Sequence, residues 1–174
     1  MSGGLYYNGL KILWATLSGQ RIDILNDTIY IALLGNNYVL DQANHLTWDD
    51  ISSYDIGTTG TYSAGGTQIT PVAPYIDDTT YAPFVFLVAT ANAAATPAYS
   101  ISWQAMTFTG LLNAAVFKKG GTAATSPLIS CLDVRKPDPD NPGSFIPQTA
   151  SGDKFYVDFQ PLGFANLQVF KAGA

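Results

Sequence analysis

ISWQAMTFTGLLNAAVFKKGGTAATSPLISCLDV, residues 101–134, is the stretch that decides the fold. It divides into a short strand at 101–103, a second at 111–117, a turn, and a third at 128–134. In the second, Leu112, Ala114 and Val116 alternate with Leu111, Asn113, Ala115 and Phe117, so both faces are largely apolar, as a strand covered on both sides requires. The segment KKGGTAATSP that follows has two glycines and a proline with which to reverse the chain, so the last two strands are expected to pair as a central antiparallel hairpin. A single buried helix would also explain apolar runs. The β-branched and aromatic residues, with Gly120, Gly121 and Pro127, argue against it. The core this predicts is built on Trp103, Leu112, Val116, Leu128 and Ile129.

Working outward, TIYIALL at 28–34 is a continuous apolar run of strand length and belongs in the same core. Residues 36–56 mix aromatics with Asp and Asn without a period, which predicts a long structured loop with one helical turn. Gly57, Gly60, Gly65 and Gly66 then permit tight reversals through positive φ. A strand is expected at 84–90, with Pro71 and Pro74 demoting the segment before it to an edge or loop. The prolines and glycines of 135–151 predict a surface loop. Two strands, KFYVDF and FANLQVF, close the chain around a turn at 160–163. At the other end, Leu10, Leu13, Trp14 and Leu17 recur at helical spacing, which predicts a short amphipathic helix over about 5–19. The fold class is therefore all-β: an antiparallel β-sandwich, or a barrel if its sheets curl together, with one short N-terminal helix, in a single domain over 1–174.

Composition narrows the function. The 174 residues carry 12% charged and 47% hydrophobic side chains, the charged share being about half of the usual one. A surface covered by Thr, Ser, Asn and Gln suits a protein packed against neighbours, and a homo-oligomer is expected. Every acidic residue is Asp, the net charge is −5, and the eight Lys and Arg form no stripe, so nucleic acid is not an expected partner. No basic leader precedes the first apolar residues and no apolar run reaches about 18 residues, so neither a signal peptide nor a membrane partner is expected. The single Cys131 excludes a disulfide framework and reads as a small buried hydrophobe.

Each chemical motif has a stronger structural reading. His45, Asp49, Asp50, Ser52 and Ser53 lie close in sequence, but no nucleophile elbow accompanies them and a capping role fits better. DPDNPG at 138–143 resembles the start of a calcium loop, yet Pro142 and Thr149 occupy positions where ligands are required. GTTGTYSAGG lacks the Gly-Lys-Ser/Thr ending of a phosphate loop. Catalytic, cofactor-binding and metal-binding residues are accordingly expected to be none, and the protein is expected not to be an enzyme. A carbohydrate-binding sandwich remains a competing class, since ten tyrosines and three tryptophans could supply stacking platforms.

The order of features says more than any one of them. TIYIALLGNNYVLDQANHLTWDDISSYDI, GTTGTYSAGGTQIT, SISWQAMTF, SPLISCLDV and FYVDFQPLGFANL together resemble a family of small tailed-bacteriophage virion proteins. In that family a short helix precedes an apolar strand, a loop with a histidine and an Asp-Ile pair, and a Gly-rich turn around a tyrosine. A tryptophan strand, a strand ending in Asp and a closing strand follow. Here these fall at 29–34, 45–51, 60–66, Trp103, 127–133 and 163–167. The chain departs from the pattern at Thr61, which separates the expected Gly-Tyr pair, and at 135–151, which lengthens the loop after Asp133. The resemblance implies a non-enzymatic structural subunit of the virion, foremost a capsid decoration or cement protein on the outer surface of the head, contacting the major capsid protein; the homo-oligomer expected from the low charge fraction would be a trimer if the protein sits on capsid threefold positions. A neck or tail subunit is the alternative. Leu5, Tyr6, Tyr7 and Trp14 near the start of the chain, and Phe145 in the Pro-rich loop, are the expected contact residues.

Overall fold

The computed structural model describes residues 4–5, 26–69, 71–72, 88–89, 100–159 and 167–168. Twelve strands are described: β1 (Gly4–Leu5), β2 (Ile29–Leu34), β3 (Thr67–Ile69), β4 (Pro71–Val72), β5 (Val88–Ala89), β6 (Ser100–Leu111), β7 (Asn113–Lys118), β8 (Leu128–Asp133), β9 (Lys136–Pro137), β10 (Phe145–Ile146), β11 (Gln148–Phe159) and β12 (Leu167–Gln168). One α-helical turn, α1 (Trp48–Ile51), runs into a 3₁₀ turn at Ser52–Tyr54. All the pairings are antiparallel.

Five strands form one sheet in the order β1-β8-β7-β2-β3. The expected central hairpin is β7–β8, and β7 is the middle strand, flanked by β2 from Ile29↔Lys118 to Leu34↔Asn113. Its alternation sends Ala114 and Val116 into one buried cluster and Ala115 and Phe117 into another, so both faces of the strand are covered. The second sheet, β12-β11-β6, packs onto the first of these clusters, where Ile101, Trp103, Met106, Phe108, Phe155 and Val157 meet Ile29, Ile31, Leu33, Ile129 and Leu132. The other face is closed by chain without strands: Tyr38, Trp48 and Ile51 pack on Ala32, Leu34, Phe117, Leu128 and Cys131.

The structure corrects several expectations. The strand entered at Ile101 does not stop at Trp103 but continues to Leu111. Leu112 is half-buried and lies outside both strands, in the one-residue break between β6 and β7, because its N–H bonds to Leu34 O and its carbonyl accepts from Val134 N. The other four expected core residues, Trp103, Val116, Leu128 and Ile129, are buried. The stretch 135–151 is not one loop: β9 and β10 form a small hairpin, and β11 begins at Gln148 by pairing with Leu111. Leu5 belongs to β1, where the backbone of Gly4 and Leu5 pairs with Cys131 and Ser130 on the open edge of β8. The rest of the expected N-terminal helix, with Tyr6, Tyr7 and Trp14, lies outside the described residues, as does most of the strand expected at 84–90.

Candidate interaction surface

Three places in the structure use polar side chains in quantity, and their geometry separates internal bracing from surface. The first is the Gly-rich turn at 57–66. Thr59 and Tyr62 exchange backbone hydrogen bonds of 3.1 and 2.9 Å around Gly60. Gly60 has φ +54°, and a Cβ there would stand 2.0 Å from Gln104 O, so the turn presses directly against β6. Thr61 N–H donates to Gln104 O (3.0 Å) and Thr61 Oγ1 accepts from Gln104 N (2.8 Å). Thr59 Oγ1 both donates to Thr107 O and accepts from Thr107 N, each at 2.9 Å. These two threonines clasp β6 on either side of Ala105, whose φ of +53° marks a bulge.

Behind the turn, the Asp55 carboxylate accepts from Gly57 N (2.7 Å), Gly65 N (2.9 Å) and the Tyr62 hydroxyl (2.9 Å). Tyr62 Oη in turn accepts from Leu33 N (3.1 Å). Burial, followed by the neighbouring Asp55 charge, pushes the Tyr62 phenol well above its usual range, so it stays a donor. The ring of Tyr62 meets Trp103 edge-on at 5.7 Å, Trp103 stacks on Phe155 at 6.0 Å, and Trp103 Nε1 donates to Thr67 Oγ1 at 2.8 Å. The motif that might have cradled a phosphate is therefore consumed in joining the two sheets.

The second place is the loop at 35–50. Asp41 accepts from Ala43 N and Asn44 N (3.1 Å each) and from Asn44 Nδ2 (2.7 Å). These bonds, that of the Asn44 side chain first, hold its carboxyl below the usual range. Asp50 is raised by burial, but the hydrogen bonds from Thr47 N (2.8 Å), Leu46 N (2.9 Å) and Thr47 Oγ1 (3.1 Å) outweigh this and leave it lowered. It closes the N-terminus of α1, the cap that places Trp48 flat on Phe117, 4.8 Å between centroids. His45 Nδ1 sits 3.3 Å from Tyr38 Oη and accepts weakly from Asp41 N (3.4 Å), while Ser52 Oγ donates to Asp49 O. The grouping of His45, Asp49, Asp50 and Ser52 is thus divided among separate bracing bonds instead of forming a relay. On this braced loop, Val39 is 76% exposed and Leu46 42%.

The third place is the β9–β10 hairpin. At its base the Arg135 guanidinium grips Asp133 through Nε–Oδ1 (2.9 Å) and Nη2–Oδ2 (2.6 Å) and lies over the Phe145 ring, 5.6 Å from its centroid. Phe145 is 40% exposed and pairs with Pro137, while the exposed Lys136 pairs with Ile146, one position along the hairpin and on its other face. At the tip, Asp138 Oδ1 accepts from Asp140 N and Gly143 takes φ +93°, so DPDNPG forms a turn. Among the described residues no group of three or more His, Cys, Asp or Glu side chains could hold a metal ion. Cys131 is buried, as its apolar strand suggested.

Val39, Leu46 and Phe145 are the large hydrophobic side chains exposed among the described residues. Sequence reading picked out Phe145 and missed Val39 and Leu46. One signal was available: between Arg21 and Lys118 every charged side chain is an aspartate, so the loop at 35–50 carries charge of a single sign. The class that fold and surface define is a β-rich protein whose polar side chains brace its loops and whose exposed apolar groups stand on two of them. Comparison with protein-family models, with curated proteins and with solved structures finds no match to this chain.

Proposed function

We propose that this protein is a structural subunit of a tailed-phage virion, a decoration protein that binds the outside of the assembled head and strengthens it. The observation that carries the reading is the fate of the segments on which the family resemblance rests. The apolar strand at 29–34, the His-to-Ile loop at 45–51, the Gly-rich turn at 60–66 and Trp103 all contribute to the two cores or to the bonds between the sheets. In such a protein the business of the chain is to be a stable body with contact points. The low charge fraction agrees, since surface with few charges is inexpensive to desolvate at a subunit contact. Each contact with the major capsid protein can be modest, because a lattice presents many copies at high effective concentration. Self-association, as a trimer on threefold positions, belongs to the same reading.

The carbohydrate-binding alternative needs clustered exposed Trp and Tyr, whereas among the described residues Tyr38, Trp48, Tyr62 and Trp103 are buried and Tyr30 and Tyr54 half-buried. The test of the decoration reading is to localise the protein on purified virions with gold-labelled antibody. Heads with and without the protein are then heated while DNA release is followed. Label on the head and a higher release temperature are expected. Label confined to the tail, or identical release temperatures, would replace this reading with that of a neck or tail subunit.

A further inference from the structure

One side chain of the braced loop is placed so that its charge state decides its partners. His45 folds back over the start of its own turn. Its backbone N–H donates to Asp41 O (3.0 Å), while its Nδ1 receives the Asp41 N–H (3.4 Å) and lies 3.3 Å from Tyr38 Oη. A backbone N–H can only donate, so Nδ1 carries a lone pair in this arrangement and the ring is the neutral tautomer protonated at Nε2. Tyr38 Oη can turn to either role. The Asp41 N–H cannot, and a proton on Nδ1 would set two N–H groups against each other.

The surroundings offer a charged ring another position. Among the described residues, the charged and titratable groups about it are Tyr38 and Asp41 of the loop and Asp50 of α1, with the exposed Asp49 next to Asp50 in the chain. Tyr54 of the 3₁₀ turn stands behind Tyr38, edge-on at 5.4 Å. The turn at 123–127, which packs on α1, contributes only Ala, Thr, Ser and Pro. Asp41 and Asp50 are near enough to His45 for a charge on the ring to act on both. Asp41 Oδ1 is taken by two amides and Oδ2 by Asn44 Nδ2, whereas the three donors to Asp50 converge on Oδ2 and no described group bonds its Oδ1.

We propose that the loop at 38–50 is a proton-operated switch: uptake of a proton at His45 Nδ1 breaks the bond from the Asp41 N–H and turns the imidazolium away from Tyr38 toward the open Oδ1 of Asp50. The proton comes from solvent, which reaches the half-buried ring. Histidine is the side chain that ordinarily changes charge between about pH 5 and 8. Asp41 and Asp50, held below the ordinary carboxylate range, stay ionised there, so the loop gains one positive charge and loses one backbone bond. Val39, 76% exposed, stands between Tyr38 and Asp41 in the chain, so this apolar group shifts with the segment that the ring releases. Trp48 stays seated on Phe117, because the cap that places it uses Asp50 Oδ2 and not Oδ1. The switch therefore acts on the outside of the loop and leaves its core side in place. It goes beyond the decoration reading and does not depend on it.

The test is an NMR titration of the full chain from about pH 8 to 5. At the upper end the ring nitrogens of His45 should report the Nε2–H tautomer. As the ring takes up its proton, the Asp41 amide and Val39 methyl signals should shift with the His45 midpoint, and the through-space contact between the His45 and Tyr38 rings should be lost. The Trp48 indole signal should stay where it was. His45→Gln, neutral throughout, should abolish the Asp41 and Val39 shifts, and the wild-type readouts decide alone if that variant does not fold. The proposal is overturned by an Nδ1–H tautomer at the upper end, by a Tyr38 ring contact and Asp41 amide that survive protonation of His45, or by a His45→Gln variant that responds to pH as the wild type does.

Discussion

The two faces of the five-stranded sheet are covered by different means. One face meets β6 and β11, a long ribbon whose backbone is satisfied by pairing and whose inward side chains, Trp103, Phe108 and Phe155 among them, fill the gap between layers. The other meets α1 and the loop around it, where few backbone bonds are regular and the carboxylates of Asp41 and Asp50 substitute for a ladder. Both covers exclude water from the same strands. The ribbon draws its stability from apolar burial, whereas the loop depends on ionised groups that bond its own backbone, so the two faces should respond differently to mutation and to pH.

The largest expected effect is on the ribbon side. Trp103→Ala removes a ring that touches Tyr62 and Phe155 in a closed core, and should cost about 3–5 kcal/mol in a chemical denaturation curve. A cost under about 1 kcal/mol would mean the layers can collapse onto the gap, and the contrast between the faces would fail. Next, Tyr62→Phe keeps the ring but strands the Leu33 N–H and takes a donor from Asp55. A loss of about 1–3 kcal/mol is expected by the same measurement, with no change in aromatic packing. The smallest effect belongs to the loop side and depends on pH. The folded Asp50 carboxyl titrates below its ordinary value of 3.8, so its contribution is fully present above that value and is lost as pH falls through the lower folded value. Asp50→Asn should therefore melt about 1 kcal/mol less stably than wild type at neutral pH, and the two curves should converge at the acid end. Parallel curves at all pH values would show that the carboxylate charge does not hold the loop.

The same contrast explains which parts of the fold were legible. β2, β7 and β8 could be placed from the sequence because unbroken apolar runs survive any choice of phase. β6 was cut short for a reason visible in its side chains. Ile101 and Trp103 point inward, Gln104 and Ala105 both point out, and inward positions resume at Met106 and Phe108, one residue out of phase. Gly110 at φ +75° shifts the phase again before Leu111. In β11, Gly152 at φ +72° separates the inward Gln148 and Ala150 from Phe155 and Val157. Strict alternation cannot be followed across a bulge, and each bulge exists only because a partner strand or the Thr59–Thr61 turn accommodates it. The bracing loop had no period to read at all. Its Asp41 and Asp50 carboxylates bond the loop's own backbone, while the exposure of Val39 and Leu46 is a matter of where tertiary packing stops, which a local pattern does not encode.

The turn that holds β6 also bears on time. Thr59 reaches Thr107 across 48 residues of chain and Thr61 reaches Gln104 across 43, whereas β7 finds β8 over a single connecting turn. Closing a long loop costs entropy before any contact offsets it, so the hairpin is expected to form early and the seam between the sheets late. Interactions made after the folding barrier act almost wholly on the reverse rate. Thr59→Val should accordingly raise the unfolding arm of a stopped-flow chevron, at unchanged slope, and leave the folding arm where it was. What the seam confers is endurance: a molecule that, once closed, reopens slowly.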